Sequence, residues 1–295
     1  MSDLWIILTG ALVASACGFL GCFLILRRMA MVGDAISHAV LPGIAVAFLL
    51  IGSRDSLPML LGAAAFGLLC TFLIQTLRRR GVQNDAAISI SFTALFAIGV
   101  VLISLYSRQV DLDLDCVLYG EIAYVPWDVL MVGEIAIGPK AVWANGIAFF
   151  LSLAVVGLFY KQFKICAFDP QMAAAIGIPV TFFHYLLMGL VSITTVSAFE
   201  SVGAILVVAM LIVPGATAYL LTDRLGRMLG LSVLIGTLSS ALGYALAVWL
   251  NVSIAGAMTV AAALLFLLAF LFSPLHGIVT RRMILRRLKA SGAEK

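Results

Sequence analysis

Residues 5–26 read WIILTGALVASACGFLGCFLIL and contain no charged side chain. A helix of this length extends about 33 Å, which matches the ~30 Å hydrocarbon core of a bilayer. The first charge of the chain is Asp3, whereas a cleavable signal peptide would begin with basic residues. The stretch therefore predicts a membrane-spanning helix, and the same test can be applied to the rest of the chain.

Further apolar stretches of spanning length follow along the chain. Their bounds are 33–51, 57–77, 88–106, 144–160, 182–199, 202–221, 229–250 and 254–272. Of the 295 residues 63% are hydrophobic and only 11% are charged, too little charge to cover a soluble domain of this size. We therefore predict an all-α polytopic membrane protein of about nine transmembrane helices, forming a single domain over residues 1–295.

The connections between these stretches alternate in charge. Basic residues occupy every second connection and the tail, at 27–28, 78–80, 161 and 164, 224 and 227, and 281–289, whereas acidic residues gather between 111 and 134. The positive-inside rule then predicts an outside N-terminus and a cytoplasmic C-terminus, with residues 274–295 as a cytoplasmic basic tail. The net charge of +4 thus reflects membrane topology and does not indicate nucleic-acid binding.

Asp34 and His38 are four residues apart at the head of the second apolar stretch. On a helix this spacing places both side chains on one face, and a carboxylate with an imidazole suits a divalent transition metal. Ionisable groups at membrane depth are costly and usually line a pathway. The alternative is that Asp34 caps the helix start after Gly33. The residues alone leave both interpretations open.

The connection 161–180 contains a second pattern, Asp169 followed by Pro170, which predicts a helix start, with Gly177 as its stop. A short capped helix between two spans is suited to docking on a partner, although an ordinary loop helix has the same pattern. Residues 116–130 mix apolar and turn residues and predict a short interfacial or partly inserted helix. Glu200, at the outer end of a span, is either an acid in water or part of an outer vestibule.

Several function classes are excluded by what the sequence lacks. It contains neither a GxxxxGK[ST] phosphate loop nor the HExxH and GxSxG motifs of hydrolases, so we predict no enzymatic activity in this chain. The five cysteines have no paired spacing, which argues against both a disulfide framework and a zinc site. We predict that they pack as small apolar side chains. His184 and His276 have no carboxylate at ligand spacing. We therefore predict that both lie at the membrane interface and do not bind metal.

Four segments in this order resemble one family, the permeases of bacterial ABC-type importers for manganese, zinc and iron. They are LRRMAMVGDAISHAVLPGIA (26–45), LYGEIAYVPWDVL (118–130), FDPQMAAAIGIPV (168–180) and ESVGAILVVAMLIVPGATAYLLTDRL (200–225). The resemblance covers residues 4 to about 272. The family is similar in layout to the larger vitamin B12 and siderophore permeases, the type II ABC importers, but has fewer spans.

The resemblance implies a dimer of this chain with a second copy or a paralogue, around a central pore in the bacterial cytoplasmic membrane. It also implies a cytoplasmic ABC ATPase dimer, an extracytoplasmic metal-binding protein and surrounding membrane lipid, with no nucleic acid. The metal ion is then the transported substrate, and no stably bound cofactor is expected.

The resemblance also implies roles for particular residues. Asp34 and His38 match the family's pore-facing D-x-x-x-H pair. The family's coupling helix matches Phe168, Asp169, Pro170, Ala174 and Gly177. Relatives for zinc often have an amide where this chain has Glu200, which favours manganese or iron. We therefore expect the permease of a divalent-metal importer, with Mn²⁺ ahead of Zn²⁺ and Fe²⁺. The competing hypothesis is a stand-alone, ion-coupled secondary transporter, which would require an inverted internal repeat; the sequence holds one D-x-x-x-H and no second copy.

Overall fold

The structure, a computed structural model, describes residues 2–51, 56–106, 122–132, 135–273 and 277. Nine helices in these ranges are long and apolar enough to span a bilayer, as predicted. With two short helices between the fifth and the sixth of them, the helices are α1 (Ser2–Leu26), α2 (Ala30–Ile51), α3 (Ser56–Arg79), α4 (Asn84–Tyr106), α5 (Lys140–Leu158), α6 (Tyr160–Phe168), α7 (Pro170–Ala175), α8 (Val180–Val202), α9 (Ala204–Leu221), α10 (Leu225–Leu250) and α11 (Ile254–Phe272).

Helix α1 is the centre of the molecule, and it packs against α5, α8, α9 and α10. Its residues are small or apolar on every side, as expected of a helix surrounded by other helices. Gly21 lies directly against the backbone of Leu211 on α9, where an added Cβ would overlap the Leu211 carbonyl oxygen. On the other side, Gly236 of α10 lies against Ala14. These small residues allow the close approach of helices that membrane packing needs.

Two groups of helices flank this centre. Helices α2, α3 and α4 pack together on one side, and α9, α10 and α11 pack together on the other. Helices α2 and α8 run parallel, since Ile36 and Ser192 both meet Gly67 of α3, and Val40 and Val196 share one apolar cluster four residues further on. This register relates positions on α2 to positions on α8.

A polar network closes the end of the molecule where the basic residues gather. Arg27 Nη1 donates to His184 Nδ1 at 3.4 Å, and Arg27 Nη2 donates to the carbonyl oxygen of Cys166 at 3.2 Å. Burial lowers the pKa of Arg27. His184 is therefore a buried partner of Arg27 at this end of the molecule, and its position at the membrane interface stays a prediction. We call this end, which also carries Arg78 and Arg79, the basic end.

The opposite end carries a small β-hairpin that the sequence did not predict. A 3₁₀ helix (Ile122–Trp127) leads into β1 (Val129–Val132), which pairs antiparallel with β2 (Ile135–Pro139). Only 122–127 of the predicted interfacial helix are helical; 116–121 lie outside the described residues. Gly138 packs on the ring of Trp5, and Asp128 forms an ion pair with Lys140 at 2.7 Å.

Most span boundaries agree with the sequence prediction to within a few residues. The fifth predicted span, 144–160, corresponds to α5, which begins four residues earlier at Lys140, as α4 and α10 also begin four residues before their predicted starts. It ends at a break at Phe159, where a separate helix, α6, starts. The four cysteines in the described ranges, Cys17, Cys22, Cys70 and Cys166, are buried free thiols, in agreement with their predicted packing as small apolar side chains. The basic tail 274–295, apart from Gly277, and the acidic residues between 111 and 121 lie outside the described residues.

The close approach of α1 and α9 can be tested at Gly21. We expect Gly21→Ala to destabilise the protein by roughly 1–3 kcal/mol or more, because the methyl group has no room against backbone. Gly230→Ala on α10 is the matched control, since no atom of the part of the chain that the structure describes lies within 4 Å of its added Cβ. Alanine is also the most favourable residue within a helix. Thermal unfolding in detergent should separate the two variants; equal midpoints would contradict this packing.

Candidate functional site

The connection between α1 and α2 sets the position of the Asp34/His38 pair. Arg28 has a left-handed backbone (φ 55°), Met29 N–H donates to the carbonyl of Leu24 at 2.8 Å, and Arg28 N–H donates to that of Ile25 at 3.0 Å. These bonds are a Schellman turn, and the chain re-enters a helix at Ala30. Asp34 is therefore the fifth residue of α2, one turn beyond the unsatisfied N–H groups, so it does not cap the helix.

Asp34 and His38 share one face of α2, as their spacing predicts. Asp34 Oδ1 lies 3.6 Å from His38 Nε2, which is beyond hydrogen-bond length. The side chain of His38 is 35% exposed and that of Asp34 is 32% exposed, although the residues on either side of them are buried. Asp34 Oδ1 and His38 Nε2 thus lie near each other on an accessible face, and they do not hydrogen-bond to each other.

Two phenylalanines of α4 fix the imidazole of His38. The ring of Phe92 stacks on it with centroids 5.4 Å apart, and the ring of Phe96 meets it edge-on at 5.7 Å. Such contacts restrict the rotation of the imidazole and so fix the direction of Nε2. The sequence analysis missed both residues; their only signal was two aromatic residues at helical spacing on a neighbouring span.

Pro42 lies one turn beyond His38 within α2. Proline has no N–H, so the carbonyl of His38 lacks the i+4 donor that a helical carbonyl normally has. Gly99 of α4 packs against this turn, with its missing Cβ 2.8 Å from Pro42 nitrogen. A carboxylate, an imidazole and an under-bonded carbonyl therefore lie within two turns of one helix.

These groups do not complete a metal site. Within the described ranges, no group of three or more His, Cys, Asp or Glu side chains is placed to hold a metal ion. Zinc commonly takes four ligands, and harder divalent ions take six or more. Two side chains from α2 can therefore supply only part of a coordination sphere.

Glu200 lies away from the pair. In the register of α2 and α8, Asp34 is level with Leu190 and His38 with Thr194, so Glu200 is about 9 Å beyond His38 and about 15 Å beyond Asp34 along the helix axis. Glu200 is exposed, and its charge acts on Lys140 at the hairpin end of the molecule. The structure therefore does not bring Glu200 into the Asp34/His38 site.

The segment predicted to couple to a partner forms a capped helix, as expected. Asp169 accepts a hydrogen bond from Met172 N–H at 2.9 Å, and Pro170 occupies the first turn of α7. Gly177 ends it with a left-handed backbone (φ 84°), and Ile178 N–H donates to the carbonyl of Ala173 at 3.0 Å. Ala173 is buried, and the network of Arg27 holds the preceding helix α6, so α7 has a fixed position.

The outward side of this segment is apolar. Phe168, Met172 and Ile176 follow one another at four-residue spacing and are 57%, 59% and 55% exposed. Ala174 and Gly177 are also exposed. Large apolar side chains in a row at the basic end, outside the spanning helices, are typical of a protein contact surface.

Comparison with known proteins shows the family to which the chain belongs. Residues 4–273 match the model of the ABC 3 transport family. The chain is 56% identical over 281 residues to the manganese transport system membrane protein MntD of Bacillus subtilis, covering 95% of each, and 42% identical over 285 residues to the zinc transport system membrane protein TroD of Treponema pallidum, covering 96% of this chain and 77% of TroD.

A solved structure is also similar. The structure of PsaBC from Streptococcus pneumoniae in complex with Fab contains a chain that superposes with a TM-score of 0.78 at 36% identity, covering 96% of this chain and 94% of that one. The expected fold, a polytopic helical permease, is confirmed. The chain therefore belongs to the ABC 3 transport family and is a membrane-spanning transport subunit of it.

Proposed function

We propose that this protein is the permease of an ATP-driven importer of divalent transition metal ions, with Mn²⁺ as the preferred substrate. The observation that carries the proposal is the accessible Asp34/His38 pair, whose oxygen and nitrogen atoms lie 3.6 Å apart on one face of α2. Mixed oxygen and imidazole ligands suit Mn²⁺, Fe²⁺ and Zn²⁺. The names of the similar membrane proteins, for manganese and for zinc, agree with this substrate class.

The incomplete ligand set favours a pair of permeases around one pore. A second copy or a paralogue would bring its own carboxylate and imidazole to the ion, and so raise the side-chain ligands from two to four. Because those ligands come from two chains, relative movement of the chains can break the site. A transit site must release its ion, so divided ligation is better suited to transport than a closed cage within one chain.

Coupling to ATP hydrolysis is assigned to the segment around α7. A cytoplasmic ATPase dimer would contact Phe168, Met172 and Ile176, with Asp169, Pro170, Ala174 and Gly177 shaping the helix. Movement of α7 would reach the spans through α6, whose Cys166 carbonyl is bound to Arg27 at the end of α1. A stand-alone secondary transporter would have no use for such a surface, and family membership also argues against that alternative.

The charge difference between the two ends of the molecule indicates the direction of transport. With the basic end in the cytoplasm, the hairpin end faces outward in the bacterial cytoplasmic membrane, where an extracytoplasmic metal-binding protein would deliver the ion. Glu200 lies at that end and would attract cations to the entrance rather than bind the ion in transit. The acid at this position agrees with manganese or iron ahead of zinc.

The metal site is tested by substitution within α2. We expect Asp34→Asn and His38→Ala each to lower radiometal uptake by at least about tenfold. Mutation of a residue that only hydrogen-bonds to a metal ligand already lowers metal affinity by about 10–100-fold, and loss of the ligand itself should cost at least as much. Ser37→Ala is the control on the same helix; it removes only a bond to the Gly33 carbonyl and should transport normally. If Asp34→Asn is present at the normal protein level and retains most of the uptake, Asp34 is not a ligand on the transport pathway.

Coupling is tested at Ala174, which is exposed on α7. We expect Ala174→Glu to abolish uptake while the permease still folds and inserts, because a charge would be buried against the ATPase. Ala174→Ser adds a polar atom without bulk or charge and should behave as wild type. Full uptake and normal co-purification of the ATPase with Ala174→Glu would contradict the coupling role.

Orientation is tested with reporters. A fusion after Lys295 should report a cytoplasmic location and one near Asp113 an external location, since the charged connections alternate. Both reporters on the same side of the membrane would contradict the nine-span topology.

A further inference from the structure

Helices α3 and α5 both pack on α8 and leave a lateral groove between them. The groove has a volume of about 690 Å³, within the range of ligand pockets. Its walls are apolar side chains, among them Leu68 and Phe72 of α3 and Leu151 and Val155 of α5. Among the described residues that line it, Tyr185 of α8 alone has a polar side chain. A groove of this composition, open at the side of a membrane protein, is suited to a hydrocarbon chain.

The length of the groove agrees with such an occupant. Along α8 it runs from Tyr185 to Ile193, which is about 12 Å of helix and close to the ~15 Å of hydrocarbon in one leaflet. This part of α8 lies in its half nearer the basic end. Gly189 forms part of the floor, and a Cβ added there would meet only Leu68, at 3.7 Å. The depth of the groove thus depends on a missing side chain.

Arg79 provides a positive charge at the mouth of the groove. It follows Phe72 by seven residues, two helical turns, so it lies on the same face of α3 about 10 Å closer to the basic end. The side chain of a helical residue points back toward the N-terminus, here toward the groove. Both Arg78 and Arg79 act electrostatically on His184, the neighbour of Tyr185, which places them beside this end of α8.

Arg78 and Arg79 are both exposed, but Arg79 shares the face of α3 that lines the groove. Arg78 Nη1 contacts Met29 Sδ at 3.8 Å and so turns toward the connection between α1 and α2. An arginine beside a groove between membrane helices is the arrangement that recognises a lipid phosphate.

We propose that the groove holds one anionic phospholipid, with an acyl chain along α8 over Gly189 and the headgroup phosphate on Arg79. The apolar walls select the chain, and the excess of basic residues at this end favours a headgroup with net negative charge. The bound lipid fills the space that separates α3 from α5 and joins the two helices through α8.

A second permease is the other possible occupant of an apolar groove. The face that needs a second permease is the one that carries the Asp34/His38 pair, on α2 with α4 beside it, and neither helix lines the groove. The groove also ends at a positive charge, which a second copy of this basic end would not complement. Both points favour lipid.

Native mass spectrometry of the full-length protein, with the subunits that co-purify, tests the proposal. Delipidated protein is incubated with phosphatidylglycerol or phosphatidylcholine of the same acyl chains. We expect wild type to retain one phosphatidylglycerol per chain, with a preference of about five-fold over phosphatidylcholine. Arg79→Gln should lose the preference, whereas Arg227→Gln, on α10 away from the groove, should keep it.

A second experiment fills the groove with a phenylalanine side chain. Gly189→Phe should abolish retention of both lipids, and Ala65→Phe fills the groove from α3 if the first variant fails to fold. Gly157→Phe adds the same ring on α5 at an open position that does not line the groove, and it should retain lipid. Equal retention in Gly189→Phe and Gly157→Phe, no retained phospholipid in wild type, or loss of a second permease without any change in lipid would each overturn the proposal.

Discussion

The fold depends on the burial of α1 on nearly all of its sides. A bilayer offers no hydrophobic drive to bring apolar helices together, so helices associate where small residues allow their backbones to approach. Gly21 against Leu211 and Ala14 against Gly236 provide that approach on two sides of α1. Every other part of the molecule is then placed relative to this helix.

The end of α1 positions both the Asp34/His38 pair and the segment around α7. Arg27 joins it to α8 through His184 and to α6 through the Cys166 carbonyl. The turn immediately after it starts α2 and so sets the height of Asp34 and His38 in the membrane. One arginine and one tight turn thus relate the candidate metal ligands to the candidate ATPase surface, although the two lie on different helices.

The parts of the structure that were predictable from sequence are those with local signals. Spanning length and low charge predicted nine helices, and Asp169-Pro170 with Gly177 predicted α7, because capping and hydrophobic length act within a few residues. The packing of the hairpin on Trp5, the contact of Phe159 with Phe183 at the break between α5 and α6, and the Arg27–His184 bond join distant segments, and no local pattern encodes them. At the site, the four-residue spacing predicted the shared face, but the stacking of Phe92 and Phe96 on His38 required the packing of α4.

The shortness of the α1–α2 connection restricts how the site can move. Three residues, tied by hydrogen bonds from Arg28 and Met29 back to α1, leave no flexible joint between the two helices. Asp34 and His38 consequently move as one rigid body with α1, which is itself enclosed by four other spans. Alternating exposure of these ligands to the two sides of the membrane then has to come from displacement of whole subunits, or of α4 with its two phenylalanines, rather than from bending of the helix that carries them.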